Sequence, residues 1–186
     1  DEIVQHFAGK VHLKPLDVPL QEVKIKPPEW NGAYTVEAAD IYRLYFHGPS
    51  FQVLEGVQRS GNVVLGKLSS SLPPITRDGK QDPTTPVLVE LCMQTAGVWE
   101  AGSTGILALP RSIGGLTLYK ARPNGVPIFA EVTPGTDDEG RICFDARVVD
   151  AKGQVYLEMR DYRTSPLPYT VEEKLLEPLK ELVKAG

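Results

Sequence analysis

The chain has 186 residues, of which 41% are hydrophobic and 24% are charged, and its formal net charge is −4. This length suits one domain and is short for two, and the composition is typical of a soluble globular protein. The acidic balance without a basic cluster argues against a nucleic-acid partner, and no apolar run approaches the ~20 residues of a membrane helix. We therefore expect a cytoplasmic protein that binds neither nucleic acid nor membrane.

The N-terminal part of the chain predicts one strand followed by loops, with 21–25 as a candidate short strand between them. The strand covers 3–14, and the Pro-rich stretches 15–20 and 26–32 are typical of surface loops. Because the strand begins almost at once, we expect the chain to be a segment of a longer polypeptide.

The histidines and cysteines show no metal-binding pattern. His6 and His12 share one face of the predicted strand, but no third ligand lies near them in the sequence. Cys92 and Cys143 fit no metal motif, and we interpret them as buried free thiols in a reducing compartment. We expect no metal ion.

A helix and a hairpin are predicted before the middle of the chain. Apolar spacing predicts a helix over 36–46, and Gly48-Pro49 ends it. The strand candidates 52–60 and 62–70 flank Gly61, which predicts an antiparallel hairpin.

The second half of the chain predicts four strands and a last helix. Turn-like sequences separate the strands, so we expect an antiparallel meander. The strands cover 111–120, 126–134, 140–150 and 154–164. In 169–186, Thr170 and Glu173 predict a capping box, and Pro178 predicts a bend or an interruption of the helix.

The segment 86–100, PVLVELCMQTAGVWE, predicts a helix that is apolar around most of its circumference and therefore buried. Its polar stripe consists of Glu90, Gln94 at i+4 and Gly97 at i+7. A buried carboxylate without a partner shifts its pKa upward, as acid–base catalysis requires. The structural alternative is that Glu90 pairs with an arginine or caps a backbone group.

The stretch YFHGPSF, residues 45–51, places His47 on a stiff Gly-Pro turn. If this turn folds over the central helix, His47 can meet Glu90 as an acid–base pair. The alternative is a turn histidine with local hydrogen bonds only.

Three stretches, taken in order, resemble the C-terminal half of polyketide synthase dehydratase domains. LYFHGPSFQVLEGV (44–57) resembles a Y-G-P-x-F-Q segment, PVLVELCMQTAG (86–97) a helix motif L-D-x-x-x-Q, and LPRSIGGLTLYK (109–120) the strand that follows it. Together they span about residues 38–165, and their order and spacing match the family.

The resemblance implies an α+β hotdog fold, a long helix wrapped by a curved antiparallel sheet, as the C-terminal half of a double hotdog. We expect the end of a preceding hotdog and a linker in 1–32, the hotdog itself in 33–168, and a C-terminal helix or linker in 169–186. The partners expected are an acyl carrier protein and either the missing N-terminal half or a second copy of the chain.

The reaction implied is removal of water from a 3-hydroxyacyl thioester to give a 2-enoyl thioester. No cofactor is expected, because the phosphopantetheine of the carrier protein presents the substrate. By motif position Glu90 is the acid that protonates the leaving hydroxyl, Gln94 is its glutamine, and His47 stands where the family has tyrosine. Tyr45, Gly48, Pro49 and Phe51 are expected to shape the acyl tunnel, with Phe51 packed in the core.

Two departures leave other functions open. The family acid is usually aspartate, and its HxxxGxxxxP motif, which carries the histidine base, is missing from the chain. His47 would act as the base only if the chain works alone. The alternatives are a hotdog thioesterase, an enoyl isomerase, or a non-catalytic acyl-binding hotdog in which Glu90 is structural.

Overall fold

The computed structural model describes residues 6–13, 22–73, 76–77, 80–81, 85–120 and 125–185. The helices of this described part are α1 (Ala38–Ile41), α2 (Thr85–Thr104) and α3 (Glu173–Lys184), with a 3₁₀ turn at Pro49–Phe51. Its strands are β1 (Val36–Glu37), β2 (Leu54–Ser60), β3 (Val63–Leu68), β4 (Thr76–Arg77), β5 (Lys80–Gln81), β6 (Ala108–Leu118), β7 (Ile128–Thr136), β8 (Ile142–Asp150) and β9 (Val155–Pro166).

Seven of these strands form one antiparallel sheet in the order β1-β2-β3-β7-β8-β9-β6, while β4 and β5 pair separately. The predicted hairpin is confirmed: β2 pairs with β3, and Gly61 adopts φ +58° in the connecting turn. The predicted four-strand meander is only partly right. Strands β7, β8 and β9 follow one another, but β6 pairs with β9 at the far edge of the sheet.

The length of α2 explains the position of β6. A helix of 20 residues is about 30 Å long, and the four strand spacings from β3 to β6 amount to about 19 Å. Helix α2 contacts β2, β3, β7, β8, β9 and β6, so it crosses the sheet and delivers the chain to the opposite edge. A long helix wrapped by an antiparallel sheet is the predicted hotdog arrangement.

The core lies between α2 and the sheet, which explains why α2 is apolar on so many sides. Leu88, Leu91, Cys92 and Val98 of α2 are each at most 1% exposed. A side chain on Gly66 of β3 would collide with Thr95 of α2, at 2.0 Å from its hydroxyl oxygen. Sheet and helix therefore approach closely where the strand carries glycine.

Helix α3 packs on the outside of α2 through Leu176, Leu179 and Leu182, which are all buried. It begins at Glu173, with Glu172 as an N-cap that makes no side-chain hydrogen bond, so the predicted capping box at Thr170 is wrong. Pro178 lies inside the helix, which continues past it, because the packing of the three leucines stabilises both sides.

Two further predictions near the N-terminus are corrected. Residues 6–13 of the expected strand 3–14 form no strand, and the rest of that range lies outside the described residues. The helix predicted over 36–46 is limited to α1, because Val36 pairs with Val57 as part of the sheet instead. No helix in the described part of the chain is long and apolar enough to span a membrane.

Candidate active site

Gln94 connects the middle of α2 to the loop that precedes β2. Its side-chain amide nitrogen donates to Glu90 Oε1 at 2.9 Å and to the Phe51 carbonyl at 2.8 Å. Its amide oxygen accepts from the Tyr42 hydroxyl at 2.8 Å, and that hydroxyl accepts from the Leu54 backbone N–H at 2.7 Å. Gln94 is only 2% exposed, and these contacts fix its amide in one orientation.

The Gly-Pro turn does fold over α2 and brings His47 to Glu90. His47 Nε2 lies 2.9 Å from Glu90 Oε1, and the two side chains are 19% and 22% exposed. The ring of Phe46 stacks on the imidazole, with centroids 4.9 Å apart and planes 14° from parallel. The His47 carbonyl accepts a hydrogen bond from the Gln52 side chain at 3.0 Å, which stabilises the turn.

The partner of Glu90 is thus a histidine and not the arginine of the structural alternative; none of the described arginines pairs with it. Gln94 and His47 both contact Oε1. Within the described residues no hydrogen-bond partner lies on Oε2. One carboxylate oxygen is therefore held by the protein, and the other remains for a bound molecule.

Glu90, Gln94 and His47 line one cavity of about 340 Å³. Its wall runs along α2 from Glu90 to Gly97 and is completed by residues 44–47, 107–110, 167 and 169, and by Tyr162 and Thr164 of β9. Most of these groups are apolar, as is usual for a pocket that binds a small molecule.

The tunnel residues expected from the sequence divide into two groups. Tyr45 lines the cavity, whereas Gly48, Pro49 and Phe51 lie outside the lining. Pro49 and Phe51 begin and end the 3₁₀ turn and Gly48 is its N-cap, so that the Phe51 N–H donates to the Gly48 carbonyl at 2.9 Å. The expectation that Phe51 packs in the core is wrong, because its side chain is 40% exposed and only its carbonyl serves the site.

Sequence reasoning missed several polar groups around the cavity. Glu100 of α2 is 7% exposed and accepts a hydrogen bond from Thr164 at 2.7 Å. Burial raises the pKa of Glu100, and the Thr164 hydrogen bond opposes this rise. The sequence feature that could have pointed to Glu100 is its position as a second acidic residue in the apolar stretch 86–100. Helix α2 continues four residues beyond it.

The tyrosines of the site remain neutral. Burial, above all, raises the pKa values of Tyr42, Tyr45 and Tyr162 above the ordinary phenol value, and the negative charge of Glu90 adds to the rise in each. Each phenol is therefore a hydrogen-bond donor at neutral pH. No group of three His, Cys, Asp or Glu side chains suited to a metal ion occurs in the part of the chain that the structure describes.

The chain is similar to a known sequence family and to solved structures. The sequence profile described as "Polyketide synthase dehydratase N-terminal domain" matches residues 33–174. No curated protein matches the chain.

Solved dehydratase domains have a similar fold. The dehydratase domain of RzxB from Pseudomonas fluorescens aligns with a TM-score of 0.59 and 19% identity, over 79% of this chain and 54% of that one. The dehydratase domain from the CurJ module of curacin polyketide synthase gives 0.58 and 20%, over 71% and 50%. That of PpsC from Mycobacterium tuberculosis, in complex with C12:1-CoA, gives 0.55 and 22%, over 84% and 56%. The chain spans about half the length of the structures that it matches.

Proposed function

Because the chain belongs to the polyketide synthase dehydratase family, we propose that it supplies one hotdog of an enzyme that removes water from a 3-hydroxyacyl thioester to give a 2-enoyl thioester. The substrate would be carried on the phosphopantetheine of an acyl carrier protein, with no further cofactor. The observation that carries this proposal is the carboxyl of Glu90, whose Oε1 is held by Gln94 and His47 while Oε2 is unpartnered within the described residues beside an apolar cavity.

In this proposal Glu90 is the general acid. A base removes the C2 proton of the thioester, the electrons of that C–H bond form the C2=C3 double bond, and the C3–O bond breaks. The leaving oxygen takes the proton of Glu90 Oε2 and departs as water. Gln94 and His47 orient the carboxyl, because both contact the oxygen that does not transfer the proton.

The base in this proposal is a histidine of the other hotdog half. One similar structure is a CurJ dehydratase mutant described as inactive, in which a histidine is replaced by phenylalanine. The HxxxGxxxxP motif that would carry such a histidine is missing from this chain. A base supplied from outside the chain is consistent with both observations.

We assign the chain to the C-terminal half of a double hotdog. The matched profile is named after the N-terminal domain, and this name favours the N-terminal half instead. Supporting the C-terminal half are an acid on the central helix with glutamine at i+4, and the order of the three motifs. The proposed division into 1–32, 33–168 and 169–186 remains a prediction.

The free edge of the sheet supports pairing with a second hotdog. Strand β6 ends the sheet, so one side of its backbone has no strand partner within the described residues. Four of its apolar side chains, Leu109, Ile113, Leu116 and Leu118, are between 36% and 46% exposed. Long apolar edge strands are normally covered in native proteins. A partner half or a second copy of the chain would cover this one.

The contact between His47 and Glu90 favours a second candidate, a hotdog that works alone. Here His47 would be the base, and the reaction would be dehydration, thioester hydrolysis or double-bond migration. The His47 Nδ1 atom is buried and has no hydrogen-bond partner among the described residues, so the ring would have to rotate to reach a substrate proton. For this reason the two-half enzyme is preferred.

The test is hydration of a 2-enoyl pantetheine thioester, which is measured as the loss of enoyl absorbance. We expect no hydration by the chain alone and clear hydration when an N-terminal hotdog half carrying the HxxxGxxxxP motif is co-expressed with it. Hydration by the chain alone would make His47 the base. Release of free acid, a shifted alkene, or no reaction by the folded two-half protein would contradict the proposed dehydratase.

A further inference from the structure

The cavity contains polar groups beyond Glu90 that the elimination does not use. Tyr45, Tyr162 and Thr164 all line it. A side chain on Gly97 would lie 2.6 Å from the Tyr45 hydroxyl, so this hydroxyl rests against the bare backbone of α2. Gly97 follows Glu90 by seven residues, which is about 10 Å along the helix axis. The Tyr45 hydroxyl is therefore several carbon–carbon bonds away from the carbons that react beside Glu90, and Thr164 bonds Glu100, three residues further along α2.

The phenols of Tyr45 and Tyr162 both have a hydroxyl hydrogen to donate. Within the described residues no hydrogen bond is made by the Tyr45 or the Tyr162 hydroxyl, although Tyr162 is only 3% exposed. Buried tyrosine hydroxyls usually find a partner. The high pKa of Tyr162, caused by burial and then by the charges of Glu100 and Glu90, keeps this phenol protonated.

Thr164 completes the set as an acceptor. Its hydroxyl hydrogen is donated to Glu100 Oε1 at 2.7 Å, so its oxygen can only accept a hydrogen bond from a molecule in the cavity. Glu100 is buried and holds Thr164 in this orientation. The Tyr45 and Tyr162 hydroxyls as donors and the Thr164 oxygen as acceptor match an alcohol, which accepts hydrogen bonds on its oxygen and donates one from its hydrogen.

We propose that Tyr45, Tyr162 and Thr164 form a polar subsite that recognises a hydroxyl group on the acyl chain, beyond the carbons at which water is eliminated. This inference rests on the proposed function, since it names the class of acyl chain that the same cavity takes. A purely alkyl chain would cover the three groups without satisfying them. A site built to bond a hydroxyl rejects the analogue that lacks it.

The test compares two series of 3-hydroxyacyl pantetheine thioesters of equal length, one with an alkyl tail and one with a tail hydroxyl placed at successive carbons. The two-half protein should turn over the best hydroxylated substrate with kcat/KM about tenfold above its alkyl counterpart, as one net hydrogen bond provides. Tyr162→Phe should lower this ratio to about 1, and Thr164→Val should lower it as well. Tyr119→Phe is the matched control, because the Tyr119 hydroxyl bonds Glu158 outside the cavity, and it should keep the ratio.

Binding of the corresponding non-hydrolysable pantetheine amides separates this proposal from the proposed function. A preference for the hydroxylated amide that disappears in Tyr162→Phe supports the subsite even if neither thioester is dehydrated. Equal binding and equal turnover of both series by the wild-type protein would overturn it. A preference that persists in both folded variants would overturn it too.

Discussion

Glu100 and Glu90 lie on the same helix but have different surroundings. Among the described residues, Glu90 is 22% exposed and contacts two side chains, whereas Glu100 is 7% exposed and its side chain has one hydrogen bond, with Oε2 unpartnered. Burial disfavours the charged form, which explains why the pKa of Glu100 is raised. Folding therefore shifts the Glu100 carboxyl toward its protonated form.

The raised pKa of Glu100 predicts how stability depends on pH. The stabilising contribution of Glu100 to folding is fully present below the ordinary glutamate pKa of 4.5. It is lost as pH rises through the higher pKa that Glu100 has in the folded state. Glu100→Gln keeps the shape and the Thr164 hydrogen bond without the titration. Relative to wild type, the free energy of unfolding of Glu100→Gln should therefore increase as pH rises from 4.5 through the higher pKa of the folded state, and then stay constant.

Urea unfolding of both proteins between about pH 4 and about pH 8 measures this difference. Glu177→Gln, at an exposed position of α3, is the control and should follow the wild-type curve. A Glu100→Gln variant whose stability parallels wild type across the whole range would refute the assignment.

At the scale of elements, α2 and α3 are in close contact. A side chain on Gly102 of α2 would lie 2.2 Å from the Leu179 carbonyl oxygen of α3. Because this is backbone rather than a flexible side chain, α3 would have to move. The contact holds the three buried leucines of α3 against α2.

Gly102→Val should therefore lower the free energy of unfolding by about 1–3 kcal/mol, the usual cost of overpacking. Gly115→Val on β6 is the matched control, because none of the described residues outside its chain neighbours lies within 4 Å of the position of its new Cβ atom. Chemical unfolding of the two variants tests the contact. Equal stabilities would show that α3 does not pack on α2 in this way.

Elements that depend on local pattern were predictable, and those that depend on distant pairing were not. The β2–β3 hairpin follows from two strand patterns around Gly61, and α2 follows from its apolar length. The position of β6 beside β9 depends on where α2 ends across the sheet, which no local pattern reveals. The helix expected at 36–46 is limited to Ala38–Ile41, because apolar side chains on either side of it serve the sheet and the site instead.

At the scale of the whole molecule, the distinction between local pattern and distant pairing also explains which residues of the site could be predicted. Glu90 and Gln94 could be paired from helix spacing alone, and the Gly-Pro turn suggested that His47 could reach them. Tyr162 and Thr164 come from a strand more than 60 residues further along the chain, and only the fold brings them to the cavity. The free apolar edge of β6 likewise became visible only with the sheet order.

The central claim, that Glu90 protonates the leaving hydroxyl, is tested most directly by turnover of a 3-hydroxyacyl pantetheine thioester by the two-half protein carrying Glu90→Gln. Glutamine keeps the shape and an oxygen for the Gln94 contact but has no acidic proton, so we expect kcat to fall at least about 100-fold while the folded structure is retained. Glu55→Gln, whose carboxylate pairs with Lys67 away from this cavity, should keep wild-type turnover. Unchanged turnover by Glu90→Gln would contradict the account.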